Sequence, residues 1–132
     1  MLLIFRADCK PLSCKDPLTY PPPGSLCVCV SPIKVGLRLR IALYTFFPLV
    51  SELAQEIASG IFMEQSQVRV MGANASSQDS EKTIVLIDLV PLGGSFDMNT
   101  AFLVYDRFWH KQVLTKASYF GHYDVLYVLY PG

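Results

Sequence analysis

The chain has 132 residues, enough for one domain, and its 52% apolar against 17% charged content excludes a disordered polypeptide. Eleven basic and eleven acidic side chains cancel, so no overall field attracts nucleic acid or an anionic membrane, and a partner must be recognised through a local patch. No apolar run approaches the roughly 20 residues that span a bilayer.

Met1 to Phe5 are apolar, but Arg6 and Asp8 follow at once, whereas a secretory signal needs roughly 7–15 uninterrupted apolar residues. No competent signal peptide is expected there. All four cysteines, Cys9, Cys14, Cys27 and Cys29, fall in a stretch that also holds Pro11, Pro17, Pro21, Pro22, Pro23 and Pro32. Such a composition points to crosslinking rather than to burial in a core of its own. A bond between Cys27 and Cys29 would be strained, so Cys9 and Cys14 are each expected to take one of Cys27 and Cys29. Free thiols and a zinc site are the alternatives, and zinc fits less well because the spacing lacks paired C-x2-C knuckles.

The composition changes near Val30, which divides the chain into a Cys/Pro-rich leader over residues 1–30 and one α+β module over residues 31–132. From Ile33 to Ile41 the sequence alternates strictly. A strand there sends Val35, Leu37, Leu39 and Ile41 inward and Lys34, Arg38 and Arg40 outward. After Pro48, apolar residues recur at Leu49, Val50, Leu53, Ala54, Ile57, Ala58 and Ile61, predicting an amphipathic helix with Glu52, Gln55 and Glu56 toward water. Gln67 to Met71 and Thr83 to Val90 read as strands joined by a small, polar loop from Gly72 to Glu81. Asp97, Asn99 or Thr100 can cap a second helix with Phe102, Tyr105, Trp109 and Val113 on its core side, and Tyr123 to Tyr130 closes the chain as a strand. The order β-α-β-β-α-β predicts a ferredoxin-like two-layer sandwich with one face of the sheet open.

The residues offer little chemistry. His110 and His122 sit in no metal or catalytic spacing, and the run Leu92-Gly93-Gly94-Ser95-Phe96 matches no phosphate-loop pattern. No catalytic, cofactor or metal residue is expected. The two central strands show no aromatic platform for stacking bases, which argues against RNA. The predicted open face instead mixes Lys34, Arg38, Arg40, Arg69 and Asp88 with Leu126 and Tyr130, the blend of arginine, aromatic and aliphatic groups that protein interfaces favour. The plainer alternative pairs Arg38 or Arg40 with Asp88 across strands. Asn74-Ala75-Ser76 is an N-glycosylation acceptor placed in the predicted loop.

Four long strings, Tyr44 to Ala54, Gln65 to Asn74, Lys82 to Gly93 and Arg107 to Lys111, with the leader run Pro21 to Val30, resemble the extracellular N-terminal domain of plant receptor-like serine/threonine protein kinases of the abnormal-leaf-shape type. The likeness runs from about Cys9 to Gly132. It implies an ectodomain on the outer face of the plasma membrane that meets a protein partner or co-receptor, in a single-pass receptor that signals in epidermis development. The 132 residues hold no Gly-rich nucleotide loop, V-A-I-K lysine or H-R-D catalytic loop, so kinase activity carries over to none of them. A self-associating structural module, as a homodimer, and a truncated gene product are the competing expectations.

Overall fold

The first strand, β1 (Ile33–Leu39), forms where alternation sends Ile33, Val35, Leu37 and Leu39 into the core and leaves Lys34 and Arg38 half-exposed. The computed structural model describes residues 13–130. β1 ends before the expected Ile41, because the chain bends at Arg40, whose N–H donates to the Phe120 carbonyl at 3.0 Å. Ile41 is still buried.

The helix expected after Pro48 forms as α2 (Val50–Gly60), and two short segments that the pattern did not predict precede it, α1 (Leu43–Phe46) and a 3-10 turn (Phe47–Leu49). Pro48 lies in the 3-10 turn, where its missing N–H costs nothing. In α2 the 3.6-residue repeat buries Leu53, Ala54, Ile57 and Ala58, as the pattern predicts. β2 (Val68–Ala75) continues beyond Met71, where the register with its neighbour shifts between Val70 and Gly72, and so absorbs part of the expected loop. β3 (Thr83–Leu89), α3 (Met98–Trp109), α4 (Ala117–Phe120) and β4 (Asp124–Leu129) complete the described chain.

The four strands form one antiparallel sheet in the order β2-β3-β1-β4, so the chain is α+β with β2 and β4 at the edges. Its inner face pairs Val35 with Ile87 and Leu37 with Val85 across β1 and β3. Those residues share one buried cluster with Ile57 of α2, Val104 and Phe108 of α3, and Phe46 and Phe120 of the short helices. Fully burying each such side chain contributes about 1.5–3 kcal/mol, which makes this cluster the main source of stability.

The outer face departs from expectation, because the leader folds across part of it. Arg69 Nη2 donates to the Pro21 carbonyl at 2.9 Å and Arg69 Nη1 to Thr19 Oγ1 at 3.5 Å. Thr19 and Val30 exchange backbone hydrogen bonds of 2.8 Å, closing the leader into a hairpin-like loop with Pro21, Pro22, Val30 and Pro32 buried. A disulfide joins Cys14 to Cys29 with Cα atoms 5.7 Å apart, one of the expected pairings, and it leaves those two thiols unavailable to zinc. Cys27 is also disulfide-bonded, while Cys9 and the apolar run Met1 to Phe5 lie outside the described residues.

Candidate interaction surface

The polar residues expected on the outer face are divided among separate tasks. Asp88, opposite both Lys34 and Arg69 in the strand register, is only 5% exposed and lies 3.4 Å from Lys34 Nζ. Arg38 pairs instead with Asp124 on β4, donating from Nε at 3.3 Å and Nη2 at 3.1 Å, so neither it nor Arg40 takes Asp88. Burial pushes the Asp124 carboxyl up, but the hydrogen bond and charge of Arg38, with the charges of Arg40 and Lys111, outweigh it and hold the group below its ordinary value. Arg40 is exposed in the bend after β1, and Arg69 is engaged with the leader.

A bulge in β4 overturns the expected facing of its residues. Tyr127 lies opposite Gly36 but Val125 lies opposite Leu37, so Leu126 is the extra residue. Beyond it the parity flips: Val128 and Tyr130 turn to the core side, and Tyr127 and Leu129 take the outer side. Tyr130 is therefore not part of the outer face. Its hydroxyl donates to the Phe96 carbonyl at 2.9 Å, and its ring meets Phe96 edge-on. The close approach of the Tyr127 ring explains Gly36, where any Cβ would collide with that ring.

The largest correction lies on α3. Asp97 caps the helix by accepting from the Thr100 N–H at 2.7 Å, and that hydrogen bond holds its carboxyl below the ordinary value. The core side is Ala101, Val104 and Phe108, not the row Phe102, Tyr105 and Trp109. Those three are 67%, 47% and 41% exposed, and Met98 extends the row by one turn at 75%. At about 100° per residue this row lies roughly a quarter-turn from the buried side. Arg107, on the opposite flank, donates from Nε to the Gly60 carbonyl at the end of α2 and packs over the Phe62 ring. The aromatic row thus faces away from α2, toward the free edge of β4. There Met98, Phe102 and Tyr105 line a groove of about 300 Å³ with Ile33, Val128 and Tyr130.

Other candidates have local partners. His110 lies 3.0 Å from Asp106 one turn earlier, His122 is exposed in the turn before β4, and Gly93-Gly94 forms an exposed turn ahead of α3. Asn74 lies in β2 rather than in a loop and is exposed, while Ser76 is buried. The one buried side-chain oxygen without a hydrogen-bond partner among the described residues is Glu56 Oε2, although the sequence places Glu56 toward water. Its Oε1 accepts from the Lys116 N–H at 2.9 Å. Burial raises the Glu56 carboxyl above its ordinary value, and the Glu52 carboxylate adds to the rise against the opposing pull of Lys116.

No element among these juxtaposes a nucleophile with a base, and no group of metal-binding side chains occurs among the described residues. What the described surface does expose is apolar and aromatic area. A family model described as "Receptor-like PK ALE2 N-terminal domain" matches residues 15–132. The chain belongs to that family. It is also 50% identical over 125 residues to the "Receptor-like serine/threonine-protein kinase ALE2" of Arabidopsis thaliana, a match covering 95% of this chain and 17% of that protein. No solved structure matches. The matched portion is the N-terminal domain of this ALE2-type kinase and not its kinase domain, so these residues are not themselves catalytic. No helix among the described residues is long and apolar enough to cross a membrane.

Proposed function

We propose that the chain is the extracellular contact module of a receptor-like kinase, meeting a protein partner through the flank where α3 overhangs β4. The observation that carries the reading is the row Met98, Phe102, Tyr105 and Trp109, exposed on a helix whose core side is filled by a separate stripe, Ala101, Val104 and Phe108. Folding gains nothing from exposing such a row to water, whereas aromatic anchors of this kind supply most of the energy of protein interfaces. The Arg38–Asp124 pair would form a polar rim beside the exposed aliphatic Leu126 and Leu129 of β4. Arg69 instead seats the leader, and Lys34 pairs with the buried Asp88, so these three residues lie outside the proposed contact.

The extracellular placement is supported by family membership and by the Cys14–Cys29 disulfide, a bond that persists in oxidising compartments. Glycosylation of exposed Asn74 and a role in epidermal signalling belong to the same proposal. So does a ferredoxin-like reading of the topology: the sheet order and the placement of α2 between β1 and β2, and of α3 between β3 and β4, support it, with α1 and α4 as additions.

The test is cross-linking at a cell surface. With the chain displayed outside a plant cell on a heterologous membrane anchor, a membrane-impermeant reagent should capture it in a larger species. Phe102→Ser with Tyr105→Ser should remove that species without reducing surface display. Capture unchanged by the double substitution would remove the proposal.

A further inference from the structure

We infer that the partner on this flank is a second copy of the chain, joined edge to edge through β4 and helix to helix through α3 about one twofold axis. The inference names the occupant of the surface proposed above and rests on that reading.

The spacing of secondary structure shows where a second copy would continue both layers. Strands lie about 4.8 Å apart and packed helices about 10 Å, so each helix covers about two strands. The helices α2 and α3 already cover the four strands present, and their buried residues share one core. The next helix at that spacing beside α3 would lie over strands beyond β4. β4 is open to such strands: it is an edge whose residues after Asp124 are all apolar, Val125 to Leu129, with no lysine or proline, and the bulge at Leu126 is its one blunting feature.

One axis serves both elements. Lys111 Nζ donates to the Tyr123 carbonyl at 2.6 Å at one end, and the Tyr130 hydroxyl donates to the Phe96 carbonyl at 2.9 Å at the other. α3 therefore runs antiparallel to β4, with its midpoint near Leu103 and Val104 level with the strand's midpoint near Leu126 and Tyr127. A twofold axis through that level pairs β4 antiparallel with its copy, and it also brings the two α3 rows together antiparallel. The row is itself spaced for this: intervals of four, three and four residues form a coiled-coil-like strip. Antiparallel matching sets Phe102 of each copy against Tyr105 of the other, and Met98 against Trp109. Such a contact is isologous, the commonest kind among homodimers.

The area suffices. A fully buried aromatic side chain covers about 150–250 Å², so the exposed fractions along the row amount to roughly 400–500 Å² per copy. Two copies and the paired strand edges bring the total to about 1,200 Å² or more, within the range of specific interfaces.

Light scattering and sedimentation of the oxidised chain over a concentration series should show a monomer–dimer equilibrium, with β4 amide exchange slowing as dimer forms. Phe102→Lys and Tyr105→Glu, both at exposed positions that leave the fold intact, should each weaken self-association by about 30-fold or more. Mixing the two variants should restore it, because the introduced lysine of one copy would then face the introduced glutamate of the other. A monomer at every concentration, a dimer indifferent to both substitutions, or a mixture no tighter than either variant alone would overturn the inference. If the chain stays monomeric while cell-surface capture still depends on Phe102 and Tyr105, the contact surface stands and only the second copy is lost.

Discussion

At the scale of single residues, Glu56 shows how a half-buried side chain with a solvent-side position in the helical repeat can have one carboxyl oxygen enclosed. The repeat in α2 places it one step from Ile57, but the segment before α4 returns across it and buries Oε2 without a partner. A carboxylate there lacks a donor on one oxygen and faces Glu52, whereas a protonated carboxyl could donate to Glu52. Because folding raises this pKa above the unfolded value of about 4.5, its contribution to stability is fully present below that value and is lost as pH rises through the folded value. Asp124 has the opposite sign: its lowered pKa contributes stability above the unfolded value of about 3.8, lost as pH falls through the folded one. Glu56→Gln keeps the acceptor for Lys116 and removes the charge. In urea titrations the variant should be at least as stable as the parent at pH 7, with the difference shrinking as pH approaches 4. A difference that grows on acidification would contradict the burial argument.

At the scale of elements, periodicity located every major segment but could not choose between two apolar stripes on one helix. β1 and α2 were legible because each has a single apolar side, so alternation or the 3.6 repeat left one orientation available. α3 has two stripes, Ala101-Val104-Phe108 and Phe102-Tyr105-Trp109, and ranking by size favours the aromatic one. The structure buries the other, because Phe108 has the bulk to meet the sheet while small Ala101 and Val104 let the helix approach it. β4 misled for a different reason, since one extra residue at Leu126 flips every later side chain and leaves no mark on an apolar run. The leader's seat on Arg69 depends on contacts nearly 50 residues apart in sequence, which local patterns do not contain. The two stripes make a direct prediction. Phe108→Ala should cost about 3–5 kcal/mol in chemical denaturation, because it opens a cavity in the main core. Phe102→Ala should cost about 0.5 kcal/mol or less when measured on the monomer. Equal losses would mean that the stripes are assigned the wrong way round.

At the scale of the whole molecule, the sheet is bounded differently on each side: helices cover the inner face, the leader covers part of the outer face, and the β4 edge adjoins the aromatic row. This division separates what holds the chain together from what it offers to a partner. The Cys14–Cys29 bond belongs to the first task, fastening the two limbs of the leader whose Thr19 and Pro21 receive Arg69. Closing a loop with a sequence separation of 15 stabilises the fold by about 3 kcal/mol in the chain-entropy account. Replacing both Cys14 and Cys29 by Ser should therefore lower unfolding free energy by about that amount and loosen the leader, seen as faster proteolysis near Leu26, an exposed residue of the loop. The same variant should keep the cell-surface capture that depends on Phe102 and Tyr105, because those side chains rest on α3 and not on the leader. Loss of capture in a variant that remains folded would show that the leader shapes the contact flank, and the separation of tasks would fail.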